Sequence, residues 1–266
     1  MYWQKRFDRV NSNQWLEDKI TEIHKEHKDF GYRRVCGELR NKGLKANKKR
    51  VQRIMQKLGF QVTSFTRKSR KYSSYKGNIG KIAPNRINRR FSTSVPHQKI
   101  TTDTTEFKYY ETDSKGRMII KKLYLDPFLD MFNSEILSYS ITKTPSAAGI
   151  LTAQKQAIEI TSDCPYRRTF HSDRGWGYQM SAYSSALREN KIFQSMSRKG
   201  NCYDNSVIEN FFGILKQEMY YGTTYYSFDE LKEAIEKYIK YYNEKRIKEK
   251  LGWMSPVQYR LNILAA

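Results

Sequence analysis

Three acidic residues between positions 103 and 209 have the types and order that metal-dependent phosphate chemistry needs. Asp103 lies in a β-rich stretch, Asp173 follows a short strand-like segment, and Glu209 lies in a helical pattern. Two-metal phosphoryl transfer requires a few carboxylates that converge from different elements and hold two Mg²⁺ ions about 3.5–4 Å apart. The chain has 27 Asp and Glu, so spacing alone is weak support, and an ordinary boundary glutamate remains an alternative for Glu209.

The stretches that carry these acids alternate between strand and helix patterns. β-Branched and aromatic residues predict strands over 100–111, 118–125 and 135–142. Thr144 as N-cap and Pro145 at the first helical position predict a helix to about residue 160. Further segments predict a strand over 168–171, a helix over 181–189, a strand over 192–196 and a helix over 203–220. The order βββαβαβα indicates an α/β fold with a mixed sheet, followed by a helix that begins at the capping box of Ser227 and Glu230.

The first sixty residues predict a small all-α helix-turn-helix domain. Apolar residues recur at helical spacing in three short groups: Leu16, Ile20 and Ile23; Val35 and Leu39; Val51, Ile54, Met55 and Leu58. Gly43 and Gly59 stand where helix C-caps are expected, and Asn47 is a plausible N-cap of the third helix. Residues 61–99 have little periodicity and many Ser, Lys, Arg and Asn residues, which is typical of a basic linker.

The net charge of +22 is concentrated at the N-terminal end. Residues 1–99 contain 26 Lys and Arg and 7 Asp and Glu, a balance of +19, whereas the remainder contains 23 and 20, a balance of +3. No acid lies between Glu38 and Asp103, so pairing inside that stretch cannot neutralise its eighteen cations. The polar face of the third helix carries Lys48, Lys49, Arg50, Arg53, Gln56 and Lys57. We interpret this face as a DNA contact; a solvated helix surface is the alternative.

The composition argues against disulfide bonds, a structural zinc site, a membrane span and secretion. The three cysteines form no CxxC pair, which argues against a disulfide framework and a structural zinc site. No apolar run is long enough to span a bilayer, and the first residues lack a secretory signal. We therefore expect a cytoplasmic protein.

The acidic residues lie within motifs that resemble a known family. Thirty-five residues separate Asp173 from Glu209, which matches the DD(35)E arrangement of DDE transposases and retroviral-type integrases. The stretches that resemble the second-frame (OrfB) transposases of bacterial insertion sequences are 102–107 (TDTTEF), 123–125 (LYL), 130–132 (DMF), 171–175 (HSDRG) and 195–205 (SMSRKGNCYDN). Flanking matches are 31–34 (GYRR), 47–51, 72–77, 241–243 (YYN), Arg246 and 254–256 (MSP).

The resemblance implies a ribonuclease H-like catalytic core over 100–222, after a helix-turn-helix domain (1–60) and a linker (61–99), and before a helical extension (223–266). It implies that Asp103, Asp173 and Glu209 are catalytic and bind two Mg²⁺ or Mn²⁺ ions. Water or a DNA 3′-hydroxyl would be the nucleophile in strand cleavage and strand transfer, with no covalent enzyme intermediate. The implied partners are transposon ends, target DNA, further copies of the chain, and the product of an upstream frame fused to it by frameshifting.

Several residues around the acids have two interpretations each. Arg198, Lys199 and Asn201 form a loop that we expect at the mouth of the site, in contact with DNA. Lys216 lies two turns after Glu209 and either contacts phosphate or is an ordinary exposed lysine. His171 is either a group beside the acids or a structural histidine, and Asn205 either orients Glu209 or caps its helix. Asp204 is expected to be an N-cap or a first-turn acid and not a ligand.

Two positions depart from the family pattern, and two other functions compete. Ile100 replaces a common tryptophan, which would weaken local packing, and Asp126 stands where a small or neutral residue is expected, either as a harmless loop acid or as a perturbation of the core. A metal-independent tyrosine or serine recombinase would also rejoin DNA, and its activity would survive EDTA. A non-catalytic helix-turn-helix regulator would leave the β-rich remainder of the chain, from residue 100 onwards, unexplained.

Overall fold

A computed structural model describes residues 11–62 and 80–265. The chain divides into two compact units. The first contains residues Met1–Thr66 and Ile247–Met254, and the second contains Arg67–Arg246 and Ser255–Ala266. The family-like motif at 72–77 lies outside the described residues.

The first unit is a three-helix module with the expected apolar core. Its helices are α1 (Gln14–Glu26), α2 (Tyr32–Asn41) and α3 (Lys48–Lys57). Every apolar residue that the periodicity singled out is buried except Leu58, which is half-buried, and Ile247 and Trp253 complete the core. The Asn47 side chain accepts the Lys49 N–H, so the predicted N-cap is confirmed. Gly43 and Gly59 have φ of +77° and +71°, the left-handed conformation of a helix C-cap.

The second unit is built on one mixed sheet. Its strands are β1 (Lys99–Thr102), β2 (Thr105–Thr112), β3 (Met118–Asp130), β4 (Ile136–Thr142), β5 (Thr169–Ser172) and β6 (Phe193–Met196). The sheet order is β2-β3-β1-β5-β6, with β4 paired to β3. β1 pairs antiparallel with β3 and parallel with β5, and β6 is parallel to β5. The strand predicted over 100–111 is therefore interrupted into β1 and β2.

Helices cover both faces of this sheet. They are α4 (Ala147–Ile160), α5 (Trp176–Gln179), α6 (Ser181–Glu189), α7 (Ser206–Leu215), α8 (Phe228–Glu244) and α9 (Pro256–Leu264). Phe128 packs with α4, α5 and α6, whereas its neighbour Leu129 packs with α7 and α8. This follows from the alternation of side chains along a strand. The order βββαβαβα is confirmed apart from the interruption in the first strand.

Two predicted helix starts differ in detail from the observed caps. α4 is capped by Ser146, whose Oγ accepts the Gly149 N–H, so the predicted cap Thr144 is wrong by two residues. Ser227 caps α8 as predicted by accepting the Glu230 N–H at 3.0 Å. In a capping box the Glu230 carboxylate would accept the N–H of Ser227. Here it accepts the N–H of Tyr226 at 2.7 Å.

Residues 80–98, here called the strap, lie against β6 without regular secondary structure. The N–H of Arg86 donates to Ser195 Oγ at 2.9 Å, and Ile87 is 3% exposed. Lys99 Nζ donates to the carbonyls of Arg90 and Ser92. This part of the predicted linker is therefore packed into the second unit. No helix within 11–62 or 80–265 is long and apolar enough to cross a membrane.

Candidate active site

Asp103 lies in the interruption between β1 and β2. Both strands pair with β3 in one continuous register, which puts Asp103 and Thr104 opposite Pro127 and Asp126. Pro127 has no N–H group to contribute to strand pairing. The N–H of Thr104 donates to Oδ1 of Asp103 at 2.8 Å. One oxygen of the carboxylate is thus held by its own neighbour at the end of β1.

Asp173 reaches the same edge of the sheet from the adjacent strand. β1 and β5 are parallel with Thr101 opposite His171, and each acid follows two residues later. The N–H of Gly175 donates to Oδ1 of Asp173 at 2.7 Å. A Cβ atom at Gly175 would lie 2.8 Å from that oxygen, so the close approach requires glycine.

The electrostatics of the acids indicate that their charges interact. Burial, followed by the charge of Asp173, holds the pKa of Asp103 well above its usual range, and Glu209 and Asp126 add smaller upward effects. Burial raises the pKa of Asp173, which the hydrogen bond from its neighbouring amide partly opposes. Partial desolvation, followed by the charge of Asp173, raises the pKa of Glu209. Like charges in a desolvated setting favour the protonated acids unless a cation is bound.

Glu209 projects from α7, whose opposite side is fixed in the core. Ile208 and Phe211 are buried, whereas Glu209 itself is exposed. Asp103 and Asp173 line a cavity of about 240 Å³. The other lining residues are Thr104, Tyr124, Asp126, Pro145, Ser146, Ile150, Gly175, Trp176, Gly177 and Tyr178. Glu209 is not among them.

The donor set fits a hard divalent cation. Asp103 and Asp173 each have one carboxylate oxygen held by a backbone amide and supply the oxygen ligands that Mg²⁺ prefers. Their like charges would be compensated by a cation in the shared cavity. In the described part of the chain, no three His, Cys, Asp or Glu side chains are close enough to form a ready-made metal site. Asp103 and Asp173 line one cavity, and the charge of Glu209 interacts with both of them.

Comparison with known proteins assigns the chain to a family. Two integrase core domain models match residues 94–202 and 209–264, and an HTH-like domain model matches residues 12–69. A transposase-like protein of Haemophilus influenzae is 46% identical over 221 residues, covering 83% of this chain and 96% of the relative. The putative transposase InsK for insertion sequence element IS150 of Escherichia coli is 41% identical, covering 92% and 82%. The chain belongs to the transposases of bacterial insertion sequences.

Membership of this family confirms the enzyme class and fold predicted from the motifs. The transposase is a polynucleotidyl transferase that acts on DNA, with a ribonuclease H-like core after a helix-turn-helix domain. The solved HTLV-2 integrase catalytic core domain in complex with magnesium covers 62% of this chain and 97% of its own, with 19% identity and a TM-score of 0.46.

His171 and Asn205 are buried beside the acids, and each has partners other than a carboxylate. The imidazole of His171 lies 2.9 Å from Ser195 Oγ through Nδ1 and 3.0 Å from the Asp204 carbonyl through Nε2. Burial lowers its pKa. The Oδ1 of Asn205 accepts from Thr101 Oγ1 at 3.2 Å, and its side chain does not cap α7. Both residues connect the sheet to the turn before α7.

The loop before α7 is organised by Asp204, a residue whose role sequence reasoning missed. Its fully buried carboxylate accepts from the backbone, Nε and Nη2 of Arg198, from Nε of Arg89 and from Nδ2 of Asn85. The Arg198 hydrogen bond is the largest cause of its lowered pKa. Arg89 also donates to Oδ1 of Asn201. A local sequence pattern gives no signal for contacts between the strap and a distant loop.

The basic face of α3 is partly paired with groups from other parts of the first unit. Lys57 Nζ lies 2.9 Å from a carboxylate oxygen of Glu17, and Lys48 Nζ lies 3.8 Å from one of Glu249. Arg50 donates to Asn13 Oδ1 at 2.8 Å. The acids come from outside the acid-free stretch. Lys49 and Arg53 are exposed and form no ion pair within the described residues.

Four further residues singled out from the sequence have clear positions. Lys216 is half-buried in a π-helical turn, Lys216–Tyr220, with its Nζ 5.0 Å from the centre of the Phe107 ring. Lys199 is exposed in the loop before α7. Ile100 is completely buried against the α4 side of the sheet, so the expected loosening is not seen. Asp126 lies on β3 and not in a loop, which corrects that interpretation.

Proposed function

We propose that Asp103, Asp173 and Glu209 are the catalytic acids with which this transposase cleaves DNA and joins it to a target. The observation that carries the proposal is the parallel pairing of β1 and β5, which brings two carboxylates to one cavity. When bound there, two Mg²⁺ or Mn²⁺ ions would activate the attacking oxygen and stabilise the leaving one.

The protein's own contribution is to orient the acids. The amides of Thr104 and Gly175 each donate to one carboxylate oxygen, and the other oxygen would be available to a metal ion. α7 carries Glu209 on an exposed face, next to the charge of Asp173. Preorganised oxygen ligands reduce the reorganisation needed when cations and substrate bind.

DNA contact is proposed for two basic surfaces, each within one unit. In the first unit these are Lys48, Lys49, Arg50, Arg53 and Lys57; in the second they are Arg198, Lys199, Asn201 and Lys216. Phosphate contacts would position DNA without reading its sequence. We also propose that several copies of the chain assemble on DNA and that they act with an upstream-frame product that recognises transposon ends. The protein would then lie in the cytoplasm, at the nucleoid.

Conservative substitutions test the catalytic proposal. Asp103→Asn, Asp173→Asn and Glu209→Gln should each abolish Mg²⁺-dependent strand cleavage and strand transfer while leaving the melting temperature and DNA affinity close to wild type. Glu189→Gln, at an exposed position ending α6, is the matched control and should retain activity. Near-normal strand transfer by one of the three variants would overturn the assignment.

A measurement of metal binding distinguishes the metal-dependent mechanism from that of a metal-independent recombinase. Mn²⁺ added without DNA should raise the melting temperature of the wild-type chain, because a ligand that binds only the folded state stabilises it. The same addition should give a smaller rise for Asp103→Asn. Full activity in EDTA would instead favour a metal-independent recombinase.

A further inference from the structure

A second buried carboxylate, on β3, faces the interruption between β1 and β2. Asp126 on β3 stands opposite Thr104 in the strand register and is 1% exposed. It lines the same cavity as Asp103 and Asp173. Both hydrogen bonds to its carboxylate in the described residues come from neutral hydroxyls: Thr104 Oγ1 at 2.6 Å and Ser140 Oγ at 3.2 Å.

Burying a carboxylate without a cationic partner costs folding free energy, so the contacts of Asp126 need an explanation. Thr104 gives one, because it forms hydrogen bonds to both Asp103 and Asp126. Its N–H donates to Oδ1 of Asp103, and its hydroxyl donates across the interruption to Oδ1 of Asp126. The hydroxyl also lies 3.3 Å from the Tyr178 hydroxyl on the far wall of the cavity. Thr104 is therefore held by its side chain while its backbone holds Asp103.

We propose that Asp126 is a positioning residue for Asp103, acting through Thr104. The short bond from Thr104 Oγ1 substitutes for strand pairing where the ladder is interrupted, and it fixes the direction of the Thr104 N–H. Ser140, which pairs with Asp126 on β4, secures the other carboxylate oxygen. This inference rests on the proposed role of Asp103 as a metal ligand.

Hydrogen-bonding capacity distinguishes positioning from direct ligation. In Asp126→Asn, Oδ1 can still accept from Thr104 while Nδ2 donates to Ser140 Oγ, so positioning is preserved. In Asp126→Ala both bonds are lost. Thr104→Val removes the hydroxyl and keeps the shape, whereas Thr104→Ser keeps the hydroxyl.

The experiment uses the full chain and two readouts: the Mn²⁺ concentration that gives half the maximal rise in melting temperature without DNA, and the Mg²⁺ concentration for half-maximal strand cleavage. Asp126→Ala and Thr104→Val should raise both by about 10- to 100-fold, the usual effect of losing a group that orients a metal ligand. Asp126→Asn and Thr104→Ser should remain within about threefold of wild type. Thr112→Val, on the exposed end of β2, is the matched control.

Each result decides one point. If Asp126→Asn impairs metal binding as strongly as Asp126→Ala, Asp126 acts through its charge and the positioning proposal fails. If Thr104→Val binds metal normally, the connection through Thr104 is wrong. If Thr104→Val melts much lower than wild type, its metal affinity is not interpretable alone, and two other variants decide. Thr104→Ser should bind Mn²⁺ like wild type. If Asp126 acts only through Thr104, the double variant Asp126→Ala/Thr104→Val should need no more Mn²⁺ than either single variant. Cleavage by Asp103→Asn would overturn the proposed function itself.

Discussion

A single missing Cβ atom leaves room for the Asp173 carboxylate. The backbone φ of Gly175 is −59°, which any residue can adopt, so the requirement for glycine is steric and not conformational. A Cβ atom there would lie 2.8 Å from Oδ1 of Asp173 and 3.3 Å from the Tyr178 ring. The carboxylate would have to move to accommodate it.

We expect Gly175→Ala to reduce strand cleavage by about 100-fold, because a displacement on the order of 1 Å at reacting groups has that effect. The melting temperature should change little. Gly213→Ala is the control, since a Cβ atom at that position on α7 meets nothing within 4 Å. Wild-type cleavage by Gly175→Ala would show that the Asp173 carboxylate tolerates displacement.

Protonation of Asp130 makes the free energy of unfolding depend on pH. It is fully buried, and burial raises its pKa to about 6. The folded pKa exceeds the unfolded value of about 3.9, so this contribution to stability is lost as pH rises through 6. Lowering the pH from 7 to 5 should increase the free energy of unfolding by about 1 kcal/mol through this group. Urea unfolding of Asp130→Asn should lack that increase; the same pH dependence in both proteins would contradict the argument.

At the scale of elements, a buried ion pair joins the end of the α7 extension to α8. Arg246 and Glu218 have side chains 3% and 2% exposed, with Nη2 and Oε1 2.7 Å apart. Glu218 lies in the π-helical turn and also accepts from the Tyr238 hydroxyl at 2.8 Å. The pair fixes the extension of the helix that carries Glu209 against the C-terminal end of α8.

Arg246→Met should lower the free energy of unfolding by about 3–5 kcal/mol, because it leaves a buried carboxylate uncompensated. The double variant Arg246→Met/Glu218→Met should be more stable than Arg246→Met alone, since no buried charge remains. Urea unfolding of the four proteins gives the coupling energy. Additive effects of the two substitutions would mean that the pair does not act as a unit.

At the scale of the whole molecule, the excess positive charge predicts strong dependence of DNA binding on salt. Lys49 and Arg53 are exposed on α3 and have no ion-pair partner in the part of the chain that the structure describes. Replacing both by Gln should reduce the slope of log affinity against log salt by roughly 2, about 0.9 for each lost phosphate contact. The measurement is a binding titration of duplex DNA at several salt concentrations.

Lys19→Gln/Lys232→Gln is the matched control, because it removes the same charge from two lysines that pair with Glu22 and Glu236. Its slope should stay near that of wild type. Equal reductions in both double variants would indicate an effect of net charge and not of contacts at α3.

The parts of the fold that depend on local rules could be predicted from the sequence. Helical spacing of apolar residues and the cap at Asn47 sufficed for the three helices of the first unit, but not for Ile247 and Trp253, which complete its core from the other end of the chain. The interruption at Asp103 could not be predicted, because it involves Pro127 on another strand. Likewise, the partners of Lys57 and Asp204 come from distant segments that only the tertiary structure brings together. The motif spacing identified the acids, whereas the hydrogen bonds that orient them required coordinates.

The strap determines where the chain can be divided without damage. The integrase core match begins at residue 94, and a fragment cut there would lose Asn85 and Arg89. Asp204 would then keep only the donors of Arg198 while remaining buried. The covering over β6 that includes Ile87 would also be removed, exposing apolar surface prone to aggregation. A soluble catalytic fragment must therefore include the strap and begin no later than residue 80.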